Sequence, residues 1–397
     1  MKRADLDNII AKMLTAHSRI SDLNFTVGYP CQVAADRTLY PVNVGLFSER
    51  LTPYQTEQIA MTLIYNDRRL YNDLLKHGSC DLSYALADGN RFRVNIFMQR
   101  GMYSIVMRLL ENEIPTIESL QLPNVFRDMA KEKYGIILFT GATGTGKTTS
   151  LTAILDAINK TEPVHVITLE DPVEYVHNPY KATFNQRELG KDFDTFANGL
   201  RAALRQAPHV ILVGEMRDRE TVEIALNAAE TGHLVFSTLH TVSAGHTINR
   251  ILGMFSIDEE RLARSRIADT LRWCVGQRLV PQIKGGLKAV FEIMQNNVRV
   301  KDAIINGESE GKTFYEIIET GQAYGMQTFD QHLIQLFREG VINEDNALLY
   351  ASSKARVRQG IDYIKSQKGE KTSELDGLTI DTDYNTYRNR RGERPWK

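Results

Sequence analysis

Four short apolar runs rich in β-branched residues recur in the middle of the chain, between Gly135 and His240. They read GIILFT, HVITLE, VILVGE and LVFSTLH, and segments with helical spacing of apolar residues separate them. The apolar face of the first such helix is marked by residues at i, i+3, i+4 and i+7, which are Leu151, Ile154, Leu155 and Ile158. Strands that alternate with helices predict a parallel sheet with crossover helices, and therefore an α/β fold.

The same pattern divides the chain into four parts. Residues 1–110 combine a helical opening with short segments such as CQVAA and RFRVNIFM, which predicts a small α+β domain. Residues 111–122 are acidic and end before Pro123, as expected of a linker. Residues 123–366 hold the α/β domain and further helices. Residues 367–397 are polar, with few aliphatic side chains, and are expected to be disordered.

Composition narrows the class of protein. The chain has 397 residues with 48 basic and 49 acidic side chains, and this balance argues against nucleic-acid binding and against adhesion to an anionic membrane surface. Cys31, Cys80 and Cys274 lie far apart, which disfavours a disulfide framework or a zinc site. No apolar run approaches the roughly eighteen residues of a membrane span, so we expect a cytoplasmic protein without membrane insertion.

One loop has the spacing of a phosphate-binding motif. GATGTGKTT follows the first apolar run directly and leads into the helix described above. Glycines let backbone N–H groups turn toward phosphate oxygens, and the helix adds its positive end, so the loop predicts an ATP site rather than a plain glycine turn. Lys147 would contact the β- and γ-phosphates, and Thr148 would bind Mg²⁺. The predicted nucleotide-binding residues are Gly141, Thr143, Gly144, Thr145, Gly146, Lys147, Thr148 and Thr149.

Acidic and imidazole side chains follow the other three apolar runs. They are Glu170, Asp171 and Glu174 after the second run, Glu215 after the third and His240 after the fourth. The carboxyl ends of parallel strands meet at one edge, so these groups should converge on the phosphate-binding loop. Hydrolysis needs one carboxylate to orient water and another to hold Mg²⁺ through water, and we assign these tasks to Glu174 and Glu215. Turn capping by Glu170 or Asp171 and a structural role for His240 are the alternatives.

Cations that would offset charge on the transferred phosphoryl group occur in two places. Arg91, Arg93 and Arg100 lie in NRFRVNIFMQR, where the first two are two residues apart and project from one face of a strand. We predict that an arginine finger lies among these three, and a salt-bridged strand is the alternative. Arg201 and Arg205 are four residues apart on a predicted helix, which makes them either further candidates or part of a solvated face.

Four motifs, in order, are GATGTGKTTS, TLEDPVEY, VILVGEMRDRETVEIALNAAETGHLVFSTLHT and INRILGMF. Together they resemble the secretion-ATPase superfamily and, within it, the PilT family of type IV pilus retraction ATPases that serve twitching motility. The resemblance covers nearly all of the chain to about residue 365. It implies that TLEDPVEY is the aspartate box with catalytic Glu174, and that ILVGEMRD is the Walker B segment with Glu215. It also implies a histidine box with His233 at the nucleotide and His240 as a γ-phosphate sensor.

The resemblance further implies an architecture and an assembly. The fold expected is a RecA-like P-loop ATPase domain preceded by a smaller PAS-like α+β domain. Six chains would form a homohexameric ring in which neighbouring surfaces enclose each nucleotide, so arginines outside the ATPase domain can reach it. The implied partners are an inner-membrane platform protein and the pilin machinery, at the inner face of the cytoplasmic membrane. Nucleotide binding and hydrolysis would change the interdomain angle in sequence around the ring.

The subtype rests on features around these motifs. Assembly ATPases of the superfamily carry an extra N-terminal domain, for which the start leaves no room, and a Cys₄ zinc insertion, which three scattered cysteines cannot form. These features favour retraction. From Ala303, however, the chain reads AIINGESEGKT where retraction ATPases read AIRNLIREGK, and Pro208 and His209 replace the usual Pro-Asp. An accessory retraction or an assembly ATPase of the same superfamily is therefore the alternative.

Two functions of another class also remain open. A DNA motor would require a basic, aromatic-rich channel, which the even charge balance disfavours. An ATP-binding regulatory subunit would bind nucleotide without turnover, although Lys147, Glu174, Glu215 and His240 are all present. Stimulation of turnover by DNA would favour the first function, and nucleotide binding without phosphate release would favour the second.

Overall fold

Two β-sheets with helices packed against them organise the chain up to residue 369. The computed structural model describes residues 1–36, 38–45, 47 and 49–369. The sequence predicts a disordered tail, and its part from residue 370 onward lies outside the described residues. Within the described ranges, no helix has both the length and the apolar character that crossing a membrane requires.

The first sheet belongs to an α+β unit, as the sequence predicts. Its strands are β1 (Ile20–Thr26), β2 (Cys31–Ala35), β3 (Thr38–Val42), β4 (Ser79–Ala85), β5 (Arg91–Gln99) and β6 (Met102–Leu110). Its helices are α1 (Arg3–Leu14), α2 (Pro53–Ile64) and α3 (Arg68–His77). The strands pair antiparallel in the order β3-β2-β1-β6-β5-β4. One apolar core, which includes the fully buried Phe25 and Phe92, joins this sheet to the three helices.

The second sheet contains the four predicted apolar strands. Its members are β7 (Gly135–Thr140), β8 (His165–Glu170), β9 (Thr183–Glu188), β10 (Val210–Val213), β11 (Leu234–Leu239), β12 (Leu271–Pro281) and β13 (Leu287–Gln295). Their order is β13-β12-β7-β11-β10-β8-β9, and every pair is parallel except that of β12 with β13. The predicted parallel sheet is thus confirmed, and β9, β12 and β13 extend it.

Helices connect these strands and cover both faces of the sheet. They are α4 (Val125–Met129), α5 (Lys147–Thr161), α6 (Phe196–Ala203), α7 (Arg219–Glu230), α8 (Ala244–Leu252), α9 (Ile257–Thr270), α10 (Val298–Asn306) and α11 (Phe314–Glu319). A short 3₁₀ turn (Gln322–Tyr324) leads to three further helices, α12 (Phe329–Arg338), α13 (Glu344–Leu349) and α14 (Lys354–Gln367).

Alternate residues of the central strand β7 face the two helical layers. Ile136 and Leu138 pack with α6 to α11 on one side, whereas Ile137 and Phe139 pack with α4 and α5 on the other. Because both faces are covered, every residue of β7 is buried, which explains its continuous apolar sequence. This three-layer arrangement confirms the α/β fold class and exposes the carboxyl ends of its strands along one edge.

Candidate active site

The loop between β7 and α5 wraps closely around the first turn of the helix. Gly141, Gly144 and Gly146 adopt positive φ values of 148°, 78° and 84°. A Cβ atom on Gly141 would lie 2.4 Å from the carbonyl oxygen of Gln277 on β12, so only glycine fits between the loop and that strand. The sequence therefore places glycine where the turn and the neighbouring strand require it, and the loop N–H groups are left at the positive end of α5.

Lys147 is the first residue of α5 and is buried behind this loop. Its Nζ donates hydrogen bonds to the carbonyl oxygens of Gly141 at 2.8 Å and Ala142 at 2.9 Å. Burial lowers the pKa of the ammonium, and the nearby carboxylates of Glu215 and Glu174 partly offset that effect. The side chain is thus held inside the loop as a fixed cation beside two acidic groups.

A cavity of about 470 Å³ opens in front of the loop. Residues 143–149 line it together with three residues that the sequence assigned to catalysis, namely Glu174, Glu215 and His240. The structure therefore brings together side chains from the ends of β8, β10 and β11 at the edge where α5 begins. This is the position at which open α/β sheets bind ligands.

Glu174 lies in the irregular segment that follows β8. Burial raises the pKa of its carboxyl group, while the Thr148 hydroxyl and the Arg93 and Lys147 cations act in the opposite direction. A carboxylate with a raised pKa is a stronger proton acceptor, as orienting and deprotonating a water molecule requires. Glu174 therefore has both the location and the electrostatic environment of a general base.

Glu215 follows β10 and contacts two cationic or imidazole groups of the cavity. Its Oε2 lies 2.7 Å from a guanidinium nitrogen of Arg217, and its Oε1 lies 3.4 Å from Nε2 of His240. The hydroxyl of Thr238 donates to the carbonyl oxygen of Gly214 at 2.7 Å and thereby fixes the end of β10 to β11. This carboxylate is largely buried but remains open to the cavity.

The loop that carries His240 is hydrogen-bonded to the end of β7, the strand that leads into the phosphate-binding loop. The hydroxyl of Thr140, the last residue of β7, donates to the carbonyl oxygen of Thr241 at 2.7 Å and accepts from its N–H at 3.1 Å. Displacement of the P-loop strand would therefore be transmitted directly to the residue after His240. The side chain of His240 is about two-fifths exposed and faces the cavity. It does not occupy a buried structural position.

Glu170 and Asp171, the two acidic residues that could have capped a turn, differ in their surroundings. Glu170 is buried and accepts hydrogen bonds from the Thr168 hydroxyl at 2.6 Å and from Nε2 of Gln186 at 3.2 Å. Burial raises its pKa to about 7, against the effect of those two donors. Asp171 is exposed at the rim of the cavity. Both residues line the cavity, and Glu170 is anchored by side chains.

The three arginines of the first sheet occupy different positions relative to the cavity. Arg91 donates to the carbonyl oxygens of Val173 at 2.5 Å and Glu174 at 3.2 Å, so it holds the backbone that bears the Glu174 carboxylate. Arg93 is close enough to lower the pKa of Glu174. Arg100, in contrast, lies in the turn after β5, with a φ of 49°. The nine-residue strand places it about 30 Å from Arg91, away from this cavity.

Three other predicted positions lie outside the cavity. His233 precedes β11, at the opposite edge of the sheet from Lys147, and its Nδ1 is 2.9 Å from the carbonyl oxygen of Ala228. The assignment of His233 to the nucleotide site of its own chain is therefore corrected, because a full strand separates the two. Arg201 is paired with Glu220 on the surface, and α6 ends before Arg205, which favours the solvated alternative for both.

Sequence reasoning missed two cavity residues. Arg217, two residues after Glu215 in GEMRD, lines the cavity and pairs with that carboxylate. Thr238, on β11, also lines the cavity, where its hydroxyl is bonded to the end of β10. The GEMRD segment offered a hint of the first, since an arginine two residues after an acidic strand end can turn back toward the same edge. Nothing in the sequence marked Thr238.

The donor set of the cavity suits a magnesium ion carried by a nucleotide. The Thr148 hydroxyl and the Glu215 carboxylate are hard oxygen donors, which Mg²⁺ prefers. In the part of the chain that the structure describes, no group of three or more histidine, cysteine or acidic residues forms a metal site by itself. A nucleotide-bound Mg²⁺ takes most of its ligands from phosphate oxygens and water.

Glu292 is hydrogen-bonded to the start of α8, and its buried carboxyl group gives a pH-dependent prediction. Its carboxylate, 3% exposed on β13, accepts from the N–H of Ala244 at 2.7 Å, at the start of α8. Burial raises its pKa from 4.5 to about 7. The folded protein therefore favours the protonated form. The destabilisation that results is absent below pH 4.5, grows between pH 4.5 and 7, and is complete above pH 7.

We expect Glu292→Gln to stabilise the protein at pH 8 relative to the parent, by an amount on the order of 3 kcal/mol, and to have much less effect at pH 5. Urea unfolding of both proteins at the two pH values measures the difference in free energy of unfolding. An equal change at pH 5 and pH 8 would show that ionisation of Glu292 does not affect stability.

Comparison with known proteins places the chain in a family. The Type II/IV secretion system protein family matches residues 78–366. The "Type IV pilus retractation ATPase PilT" of Pseudomonas aeruginosa is 38% identical over 345 residues, which cover 86% of this chain and 97% of that protein. The "Type IV pilus ATPase PilU" of the same organism is 36% identical over 363 residues, which cover 91% of this chain and 93% of that protein.

Solved structures give the same result. The crystal structure of the pilus retraction motor PilT with bound ADP is similar at a TM-score of 0.78, with 36% identity, and the match covers 90% of this chain and 99% of that chain. The ATPase DotB of Legionella pneumophila is similar at a TM-score of 0.77, with 27% identity, over 88% of this chain and 95% of that chain. The chain belongs to the Type II/IV secretion system protein family and, within it, to the group of PilT-type ATPases.

Proposed function

We propose that this protein is an ATPase motor that hydrolyses ATP to power type IV pilus retraction, and hence twitching motility. One observation carries the proposal. A single cavity is lined by the P-loop, Glu174, Glu215 and His240. The chain that forms it is 38% identical to a pilus retraction ATPase, and the match covers 97% of that ATPase. The bound ADP of the similar PilT structure supports nucleotide binding at this cavity.

The residues of the cavity divide the chemistry among them. The loop N–H groups and Lys147 bind the phosphates, and Glu174 accepts a proton from the attacking water. Thr148 and, through water, Glu215 would hold Mg²⁺, which when bound offsets charge on the phosphate oxygens. His240, beside Glu215, would sense the γ-phosphate and transmit its presence through Thr241 to β7.

We also propose that six chains form a ring with this motor activity at the inner face of the cytoplasmic membrane, where the ring acts on a membrane platform protein and the pilin machinery. The interdomain contacts support a mechanical role. Arg91 on β5 contacts the Glu174 segment, and the hydroxyl of Ser83 on β4 donates to Glu188 on β9 at 2.5 Å. Binding or hydrolysis of the nucleotide would therefore alter the angle between the two sheets, and a change in that angle would alter the nucleotide site.

The positions of the arginines predict which act within a chain and which act between chains. Arg100 is remote from the cavity of its own chain and would reach a neighbour's cavity, whereas Arg91 contacts its own Glu174 segment. Mixing inactive Arg100→Ala chains with inactive Lys147→Ala chains should restore hydrolysis at about a quarter of the interfaces, since a head-to-tail contact then combines the two intact residues.

The matched control replaces Arg100→Ala with Arg91→Ala in the same mixture. We expect no recovery there, because each chain then lacks a residue of its own cavity. Phosphate release by the remixed rings is the measurement. No recovery with Arg100→Ala would show that Arg100 has no role across the interface, and recovery with Arg91→Ala would show that Arg91 acts between chains.

An accessory retraction ATPase is the second candidate, and one observation favours it. The AIINGESEGKT segment departs from the retraction motif where α10 ends at Asn306. Phosphate release by the purified full chain, with and without DNA, tests the shared enzymatic claim. We expect turnover that DNA does not stimulate. Stimulation by DNA would favour a nucleic-acid motor, and ATP binding without release would favour a regulatory subunit.

A further inference from the structure

The segment that carries the catalytic carboxylate has no regular backbone pairing. Among the described residues, no backbone–backbone hydrogen bond involves residues 171–178, between β8 and β9. Side-chain hydrogen bonds hold this segment, where a strand would be held by backbone hydrogen bonds. Arg91 fixes the carbonyl oxygens of Val173 and Glu174, and Asn159 of α5 donates to the carbonyl oxygen of Asn178 at 2.8 Å. Another side chain holds the backbone at Tyr175 and His177.

That side chain is Gln186, in the middle of β9. Its Nε2 donates to the carbonyl oxygen of Tyr175 at 2.7 Å, and its Oε1 accepts from the N–H of His177 at 2.8 Å. The same Nε2 donates to the buried Oε1 of Glu170 at 3.2 Å. Both hydrogens of the amide and its oxygen are therefore used, and they bind the chain on either side of Glu174.

We propose that Gln186 is a positioning residue for ATP hydrolysis: its side-chain amide holds Glu174 in the geometry that water activation requires, without contacting the nucleotide. The inference rests on the proposed catalytic role of Glu174. A primary amide suits the task because it donates and accepts at once, and because two of its three bonds fix the backbone at Tyr175 and His177, just after Glu174. Displacement of a catalytic group by about 1 Å can cost about 100-fold in rate, so loss of the Gln186 hydrogen bonds should slow the hydrolysis step.

The ring of His177 supports the same arrangement. It is buried and stacks on Phe184 of β9, with ring centroids 4.3 Å apart. The segment thus packs on β9 through this ring even when the amide of Gln186 is removed. A substitution at Gln186 should therefore loosen the Glu174 stretch without detaching the segment from the sheet.

The test uses the full chain with two substitutions and a matched control. Gln186→Met keeps the length of the side chain and removes all three hydrogen bonds, and Gln186→Glu keeps an acceptor for the His177 N–H but loses both donors. Asn185→Leu on the same strand is the control, because its exposed amide oxygen contacts only His165 at 2.8 Å. We expect both Gln186 variants to lose about 10- to 100-fold in kcat, with KM for ATP within about twofold of the parent.

A double-mutant cycle distinguishes positioning from general destabilisation. If Gln186 acts through Glu174, Gln186→Met should lower kcat no further in the Glu174→Gln background, as single-turnover hydrolysis can measure. A parental kcat for both Gln186 variants, with Glu174→Gln inactive, would overturn the inference and leave the proposed function intact. Independent, multiplicative losses would also overturn it. Parental turnover of Glu174→Gln would remove the catalytic assignment and the inference together.

Discussion

Glu174→Gln is expected to bind ATP at close to the parental affinity and to hydrolyse it more slowly by orders of magnitude. The amide keeps the size and hydrogen-bonding capacity of the side chain but cannot accept a proton from the attacking water. In the parent, burial raises the pKa of this carboxyl group and so strengthens it as a base. Lys147 and the loop N–H groups, which bind phosphate, are unchanged. The loss should therefore appear in kcat and not in nucleotide affinity.

The measurement is phosphate release by the purified protein, together with the affinity for a fluorescent ATP analogue. Glu220→Gln is the matched control, because Glu220 is an exposed carboxylate that pairs with Arg201 outside the cavity. Its turnover should equal that of the parent. If Glu174→Gln turned over at the parental rate while Glu215→Gln did not, the role of the base would move to Glu215.

Lys147→Ala is expected to abolish measurable ATP binding, a loss of affinity of about 100-fold or more. The side chain of Lys147 is enclosed by the loop, where its ammonium is bonded to the carbonyl oxygens of Gly141 and Ala142. Removal of this cation leaves the phosphates without charge compensation. It also removes the cation that lies beside Glu174 and Glu215, so the repulsion between these carboxylates and the phosphates increases.

Lys160→Ala on the same helix is the control for this substitution. Its ammonium is bonded to Asp156 at 2.6 Å, thirteen residues beyond Lys147 and outside the cavity. Calorimetric titration with ATP should give parental binding for Lys160→Ala and no detectable heat for Lys147→Ala. Binding of ATP by Lys147→Ala within tenfold of the parent would mean that the loop amides alone hold the phosphates.

Local sequence predicts the parts of the site that lie on one strand or one turn. The glycines of the P-loop could be recognised from their spacing, and the structure explains them by their positive φ values and, at Gly141, by the close approach of Gln277. Glu174, Glu215 and His240 could be assigned because they follow apolar strands of one parallel sheet, and strand direction fixes the edge that they share. These expectations required only chain order and periodicity.

The errors and omissions arise where position depends on distant contacts. His233 belongs to the same sequence motif as His240, but the six residues of β11 carry it to the other edge of the sheet. Gln186 was missed because β9, TFNQRE, is a polar edge strand without the apolar pattern that predicts strands. The contact of Arg91 with the Glu174 segment crosses 82 to 83 positions in sequence, and no local rule indicates it.

The most direct test of the central claim measures surface pili and twitching in a deletion strain of the source organism, complemented with the parent gene or with Glu174→Gln. We expect excess surface pili and no twitching in the deletion strain and with Glu174→Gln, and normal piliation and motility with the parent gene. Cells without pili would contradict retraction and indicate an assembly motor. Normal pili and motility in the deletion strain would contradict the claim that this ATPase drives retraction.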